Sequence, residues 1–215
     1  MYREQMARHL PVYLVLGLDG NGGRTALEVA AEAIAGGVTL IQLREKKAQL
    51  RRVLEEGSRL RELCRSHGVP FVVNDRIDLA ILLDADGVHV GQDDVPGLQA
   101  RQLLGEDKIV GISAGNWEEA EWAMSQRPDY LGIGPIYATA TKQDAGEAIG
   151  TSLIEKVKER WSIPVVGIGG IQSSNAAAVI RAGAEGVAVV SAITTHTDPR
   201  ASASRLLEVV TSKGI

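Results

Sequence analysis

Short apolar runs alternate with longer amphipathic stretches along most of the chain. The first run is Val12–Leu16, and a glycine-rich turn at residues 19–23 follows it. Compact apolar runs beside turn signals predict buried strands, whereas apolar residues three and four apart predict helices. Residues 25–35 are predicted as a helix, because Thr25 and Glu28 have the spacing of a capping box. The opening of the chain therefore predicts one strand followed by one helix.

The same strand-then-helix unit occurs eight times. Many of the predicted helices end in glycine just before the next apolar run. The predicted strands are 12–16, 38–41 with a continuation toward 46, 69–75, 88–94, 109–113, 130–134, 165–168 and 187–190. The predicted helices are 25–35, 50–67, 77–83, 97–104, 116–126, 153–160, 174–182 and one from about 199.

Eight repeats of this kind restrict the possible folds. Alternating strands and helices require a parallel sheet with right-handed crossovers, and each unit is too small to bury its own apolar face. Eight units in 215 residues favour an α/β fold of the (β/α)₈ TIM barrel type over an open doubly wound sheet. Length alone allows one large domain or two small ones. Because no linker or composition shift divides the chain, we predict a single domain over 1–215, with 1–10 a loose N-terminal lead-in or short helix.

Composition narrows the function class. The chain is 45% hydrophobic and 23% charged, with a formal net charge of -4, which argues against nucleic-acid binding through bulk charge. It has no long apolar segment and no signal-like start, so we expect a cytoplasmic protein without membrane contact. Cys64 cannot form an intramolecular disulfide and is interpreted as a buried thiol. Because no Cys/His cluster has zinc-ligand spacing, a metal site would rest on carboxylates.

The end of the second predicted strand carries candidate chemistry. If the strand continues past Ile41, alternation points Gln42, Arg44 and Lys46 to one face and Glu45 away from it, as a structural partner. A guanidinium and an ammonium that converge at a strand end suit a multiply charged phosphate. The alternative is a solvated, charged strand end.

Other polar residues occupy the corresponding position after strands three to five, where active sites of such barrels lie. Each alone could be a helix cap or a turn, but all of them are predicted on the same rim. They are Asn74, Asp75, Gln92, Asp93, Asp94 and Ser113. Two rim carboxylates suit Mg²⁺, and Asp75 with Asp94 is the candidate pair. Asp93 is a rival for Asp94 that spacing does not exclude.

Two further segments suggest a second anion site. Residues 134–146 form a long polar loop, which predicts a mobile lid in which Thr139 and Thr141 offer hydroxyls and Lys142 a charge. Strand seven ends in Gly169-Gly170, and exposed backbone N–H groups there and after strand eight could hold a phosphate. The alternatives are a solvated loop and an ordinary tight turn.

Five motifs, in this order, carry a family resemblance. They are Gln-Leu-Arg-Glu-Lys at 42–46, Asn-Asp at 74–75, Gly-Gln-x-Asp at 91–94, Thr-x-Thr-Lys at 139–142 and Gly-Ile-Gly-Gly-Ile at 167–171. From about residue 12 to residue 193 the chain resembles the thiamine-phosphate synthase family. The resemblance implies a Mg²⁺-dependent transferase that joins hydroxymethylpyrimidine diphosphate to a thiazole phosphate and releases diphosphate.

The resemblance also implies roles for individual residues. The pyrimidine diphosphate would be held by Gln42, Arg44, Lys46, Asn74, Ser113 and Lys142, of which Arg44, Lys46, Ser113 and Lys142 would be catalytic. Mg²⁺ would be bound by Asp75 and Asp94, and the thiazole phosphate by Thr139, Thr141, Gly170, Val190 and Ser191. Leu43, Glu45 and Ala140, which lie within the motifs, complete the substrate-binding set.

The implied chemistry needs no general base. Cations can stabilise a leaving diphosphate while the aminopyrimidine spreads positive charge, after which the thiazole nitrogen attacks. His89, inside strand four, is therefore interpreted as structural. Two alternatives remain: an aminopyrimidine tautomerase of the same superfamily, and a non-catalytic regulatory protein that binds thiazole phosphate. The retained cations and carboxylates argue against both. The expected partners are small molecules, and a homo-oligomer is compatible with the sequence.

Overall fold

Eight parallel strands close into a barrel in a computed structural model that describes residues 2–139 and 146–212. Each strand pairs with the next along the chain, and β1 pairs with β8 to complete the ring. The strands are β1 Val12–Leu16, β2 Leu40–Leu43, β3 Phe71–Asn74, β4 Gly87–Val90, β5 Ile109–Ala114, β6 Tyr130–Ile133, β7 Val165–Ile168 and β8 Gly186–Val189. The predicted (β/α)₈ barrel is confirmed.

Helices surround this barrel. They are α1 Met6–His9, α2 Ala26–Ala35, α3 Leu50–Ser66, α4 Ile77–Leu82, α5 Gly97–Leu104, α6 Trp117–Ser125, α7 Ser152–Arg160, α8 Ala176–Arg181, α9 Ser191–Thr194 and α10 Pro199–Thr211. The predicted capping box is present, since Thr25 accepts from the Glu28 backbone and Glu28 accepts from the Thr25 backbone. Within the described ranges, no helix combines the length and apolarity needed to cross a membrane.

Alternation along each strand builds two apolar layers. In β1, Val12, Leu14 and Leu16 belong to the large cluster between strands and helices, while Tyr13 and Val15 belong to a smaller cluster inside the barrel. The inner cluster also takes in Leu40, Val72, Ile109, Tyr130, Val166 and Ala188. The barrel interior is thus packed in its lower part, and polar inner side chains are left for its upper part.

The N-terminal lead-in is packed against the barrel. A 3₁₀ turn at Arg3–Gln5 precedes α1, and Met6 and Leu10 are buried in the inner cluster. Arg3 Nε donates to Asp129 Oδ1 at 2.6 Å, at the start of β6. The segment therefore closes the N-terminal end of the barrel, opposite to the predicted functional rim.

Strand two ends earlier than the hydrophobic pattern suggests. Its ladder stops at Leu43, although the Arg44 amide still donates to Leu16 O at 2.8 Å. Lys46 lies in the irregular segment that follows, so simple strand alternation does not apply to it. The structure also contains a short helix, α9, directly after β8, which the hydrophobic pattern did not predict.

Candidate functional site

The carboxyl ends of β2 to β5 bring several of the predicted polar residues to one rim. Gln42 is buried at 3% exposure on the inner side of β2, two residues beyond Leu40. Asn74 ends β3 in register with His89 of β4, and Ser113 lies near the end of β5. These three polar side chains thus come from β2, β3 and β5 and line the upper part of the barrel.

A cation and two carboxylates meet beside them. Lys46 Nζ lies 3.7 Å from Asp75 Oδ2. The Asp94 carboxyl adjoins that of Asp75, close enough for a hydrogen bond between them when one is protonated. Burial raises the pKa of Asp75 to about 6, with further contributions from the hydrogen bond and the charge of Asp94; Lys46 and Arg44 act in the opposite direction. Asp93 is exposed, whereas Asp94 also accepts from the Gly91 amide at 2.7 Å. The geometry therefore pairs Asp75 with Asp94 and leaves Asp93 outside.

The backbone at Asp75 is unusual. Its φ is +59°, a left-handed conformation that few residues other than glycine adopt, and its amide donates to His89 O at 2.8 Å. Backbone strain of this kind often accompanies functional positions. The residue with this backbone is also the one whose carboxyl group lies beside Asp94 and Lys46.

The carboxylates of Asp75 and Asp94 suit a hard divalent cation whose other coordination positions are filled by a bound ligand and water. No group of three or more His, Cys, Asp or Glu side chains suited to a metal occurs among the described residues. Mg²⁺ commonly takes one or two carboxylates together with phosphate oxygens and water, so two carboxylates are sufficient. A zinc-type cage does not fit this part of the chain.

Two motif residues occupy structural positions. The Leu43 side chain is buried in the outer layer against α3, where a Cβ added to Gly57 would lie 3.2 Å from it, so only its backbone faces the rim. Glu45 accepts from the amides of Lys47 at 2.8 Å, Ala48 at 3.0 Å and Leu18 at 3.2 Å. Burial opposes ionisation of Glu45, but these bonds outweigh it and lower its pKa. Glu45 thus joins the loops after β1 and β2, and its carboxylate is occupied by backbone donors.

A chain of side-chain hydrogen bonds crosses the barrel below the rim. Gln42 Nε2 donates to the hydroxyl of Tyr13, which lies 2.9 Å from the hydroxyl of Tyr130. The Tyr130 hydroxyl lies 2.9 Å from His89 Nδ1, and His89 Nε2 lies 2.8 Å from Ser113 Oγ. We call these five residues the interior relay. It connects two predicted site residues, one from β2 and one from β5.

The rim after β6 to β8 contains the second candidate site. Gly170 has φ +63°, and a Cβ there would lie 2.6 Å from Ala138 O, so the loop after β6 runs directly over the glycine turn. The Tyr137 amide donates to Gly169 O at 3.0 Å and fixes this approach. Thr139 is half-buried at the end of the described part of the loop.

The remaining residues of this site divide into two groups. Val190 directly precedes α9, and Ser191 is its exposed first residue. Ala140, Thr141 and Lys142 lie outside the described residues. Their predicted roles, and that of the lid they belong to, stay predictions.

Three members of the interior relay escaped the sequence interpretation. Tyr13 and Tyr130 lie inside apolar runs, and His89 was interpreted as structural. The signal that could have found them is alternation: Tyr13 has the same parity as Val15, opposite to Leu14 and Leu16, so it faces the interior. Buried tyrosine hydroxyls need partners, which points to a polar interior.

Comparisons with known proteins agree over most of the chain. A family model described as thiamine monophosphate synthase matches residues 12–193. A thiamine-phosphate synthase of Moorella thermoacetica is 50% identical over 200 residues, which are 93% of this chain and 95% of that protein. One of Chloroflexus aurantiacus is 49% identical over 199 residues, which are 93% of this chain and 92% of that protein.

A solved structure supports the same relationship. The thiamine phosphate pyrophosphorylase from Pyrococcus furiosus superposes with a TM-score of 0.86 at 37% identity, covering 95% of this chain and 97% of that one. A 3-hexulose-6-phosphate synthase, at 19% identity and a TM-score of 0.64, shares the fold alone.

Proposed function

The chain belongs to the thiamine monophosphate synthase family, and from this membership we propose that it joins an aminopyrimidine carrying a diphosphate to a thiazole phosphate. The products would be thiamine phosphate and diphosphate. The chain is an enzyme of thiamine biosynthesis and a transferase. The use of Mg²⁺, the two substrates and the order of bond breaking belong to the proposal.

One observation carries the proposal: the carboxyl groups of Asp75 and Asp94 adjoin each other beside Lys46, on the rim that also holds Gln42 and Ser113. Two adjacent carboxylates repel each other unless a proton or a cation lies between them. A diphosphate needs cations, and a Mg²⁺-bound diphosphate needs carboxylates as well. A rim that offers both suits a metal-bound diphosphate better than a simple anion.

Asp75 and Asp94 would hold the Mg²⁺. When bound, the ion supplies positive charge that stabilises the diphosphate as a leaving group. Arg44 and Lys46 add fixed cations from the segment after β2, and Lys142 is predicted to add a third. Because these charges stand ready before the reaction, they stabilise the developing charge on the leaving group without reorganisation.

The remaining residues position the two reactants. Gln42, Asn74 and Ser113 would bind the pyrimidine below the diphosphate, where the barrel interior is polar. Gly170, Val190 and Ser191, with Thr139 and Thr141, would bind the thiazole phosphate across the rim. Attack by the thiazole nitrogen then needs only alignment, so the chain requires no proton acceptor for this step.

The test is a direct assay of the purified protein with Mg²⁺ and both phosphorylated substrates. We expect thiamine phosphate and diphosphate in equal amounts. Binding of both substrates without product would instead support the non-catalytic regulatory protein. Isomerisation of a thiazole phosphate or conversion of an aminopyrimidine, without condensation, would support the tautomerase. A cytoplasmic location and any assembly with copies of itself stay predictions.

A single substitution tests the predicted catalytic role of Lys142. Lys142→Ala should lower kcat by about a hundredfold or more, because it removes a cation predicted to contact the leaving group. Lys156→Ala, on α7, is the matched control and should retain wild-type turnover. Unchanged kcat in Lys142→Ala would remove that residue from the catalytic set without affecting the assignment of the reaction.

A further inference from the structure

One direction gives every proton of the interior relay an acceptor within the relay. The Gln42 amide nitrogen donates to the Tyr13 hydroxyl, so the Tyr13 proton finds an acceptor in the relay only at the Tyr130 oxygen, and we assign the bond in that direction. Tyr130 then donates to His89 Nδ1. A neutral imidazole that accepts at Nδ1 carries its proton on Nε2, which donates to Ser113 Oγ at 2.8 Å.

This direction decides what the two ends offer to a ligand. Ser113 Oγ accepts from His89, so its own hydroxyl proton is left to donate toward the rim. Gln42 donates through Nε2, so its carbonyl oxygen is left as an acceptor. A 4-aminopyrimidine presents the complementary set, since its amine donates and its ring nitrogens accept. The relay therefore presets the hydrogen-bond pattern of a pocket for this base.

Small residues on the neighbouring strands support the arrangement. A Cβ at Gly111 of β5 would overlap the Tyr130 ring, and a Cβ at Gly132 of β6 would lie 3.0 Å from His89 Cε1. The two rings themselves lie 5.4 Å apart between centroids. The two glycines therefore leave the space that the Tyr130 and His89 rings occupy, and a larger residue at either position would displace a ring of the relay.

We propose that His89, Tyr130 and Tyr13 are positioning residues, which hold the Ser113 hydroxyl as a donor and the Gln42 carbonyl as an acceptor for the aminopyrimidine. The inference rests on the proposed function, since it requires that base as a ligand. His89 therefore acts through Ser113: it is part of the barrel interior, as the sequence predicts, and in addition orients a substrate-binding hydroxyl.

The sharpest variant is Tyr130→Phe, which keeps the ring and removes the link between Tyr13 and His89. The two ligands are free 4-amino-5-hydroxymethyl-2-methylpyrimidine, and inorganic diphosphate with Mg²⁺, each titrated by calorimetry. We expect about tenfold or more weaker binding of the pyrimidine and diphosphate affinity within about twofold of wild type. Tyr2→Phe is the control and should change neither affinity, because Tyr2 is partly buried and packs against the inner cluster from the N-terminal lead-in.

A general loss of structure would weaken both ligands equally, and that result would overturn the inference. Unchanged pyrimidine affinity in Tyr130→Phe, with normal turnover in the wild type, would also overturn it while leaving the proposed function intact. A wild type that makes no thiamine phosphate would instead defeat the proposed function, and the inference with it. The two failures are thus distinguishable.

A second measurement needs no variant to be active. Long-range proton–nitrogen NMR spectra of the wild type report which imidazole nitrogen carries the proton, and the signal is assigned with His89→Asn. We expect the Nε2–H form for His89. The Nδ1–H form would reverse the relay, turn Ser113 into a donor toward His89, and overturn the proposal.

Discussion

The Asp75 carboxyl group lies where its protonated form is favoured. Burial and the neighbouring Asp94 raise its pKa from the ordinary 3.8 to about 6. The folded protein therefore binds more protons than the unfolded chain between these values, so this contribution to stability is complete below about pH 4 and is lost as the pH rises through about 6. At neutral pH the ionised pair opposes folding, and a cation between the carboxylates would remove that cost.

We predict that Asp75→Asn is more stable than wild type at pH 8 with a chelator present, by roughly 1–3 kcal/mol. The advantage should shrink toward pH 5, where wild-type Asp75 is largely protonated. Asn tolerates the left-handed backbone at this position, so the substitution adds little strain. Urea unfolding at both pH values measures the difference, and the same variant should have lost its activity.

Asp93→Asn is the matched control, because Asp93 is exposed and adjacent to the pair. Its stability should stay within about 0.5 kcal/mol of wild type at both pH values. A variant at position 75 that is less stable than wild type at pH 8 would contradict the account of the carboxylate pair.

At the level of single residues, the sequence predicted the charged candidates and the two ends of the interior relay, Gln42 and Ser113, but not the tyrosines between them. Asp75 and Asp94 could be proposed because carboxylates at strand ends of a barrel have few structural explanations together. Spacing could not choose Asp94 over Asp93, since the choice depends on how the loop after β4 turns. Tyr13 and Tyr130 were not identified as candidates, because a tyrosine within an apolar run has the sequence pattern of an ordinary core residue.

At the level of elements, the segment after β2 is organised by Glu45. Its carboxylate accepts from backbone amides in the loop after β1 and in the approach to α3, where Lys47 and Ala48 lie. This joins two loops that the sheet alone does not connect. Arg44 and Lys46 flank Glu45, so the same bonds hold the backbone that carries both cations.

Glu45→Ala should therefore affect both stability and anion binding. Three amides lose their acceptor, two of them partly buried, and we expect a loss of about 1–3 kcal/mol in the free energy of unfolding. Affinity for diphosphate with Mg²⁺ should fall as well, because the flanking cations lose their fixed position. Denaturant unfolding and calorimetry measure the two effects.

Glu55→Ala, on an exposed face of α3, is the comparison variant and should change neither quantity appreciably. If Glu45→Ala lowered stability but left diphosphate affinity unchanged, the positions of Arg44 and Lys46 would not depend on Glu45.

Element types were predictable here because strand and helix patterns differ in period, and glycine marks most of their junctions. The first and last residues of these elements were harder to predict. The end of β2 at Leu43 depends on the pairing with β1 and β3, which a single segment does not reveal. The short α9 has too few residues to show a helical period, so its detection needed the fold.

At the level of the whole molecule, the two ends of the barrel have different tasks. The N-terminal end is closed by the lead-in, with Met6 and Leu10 buried and Arg3 bonded to Asp129. The C-terminal end carries the polar rim. A five-residue strand separates the ends by about 15 Å, and the packed inner cluster lies between them. Such barrels concentrate stability at the first end and chemistry at the second.

This separation predicts opposite effects for one substitution at each end. Met6→Ala removes a side chain that is 3% exposed, so it should lower the free energy of unfolding by about 2–4 kcal/mol and leave kcat/KM within about twofold. Arg44→Ala should lower kcat/KM by about a hundredfold or more, because it removes a cation that we propose contacts the diphosphate, yet change stability by less than about 1 kcal/mol. Denaturant unfolding and steady-state kinetics on both variants make the comparison. A loss of turnover in Met6→Ala under conditions where it is fully folded would show that the closed end communicates with the rim through the interior cluster, and would contradict the division of tasks.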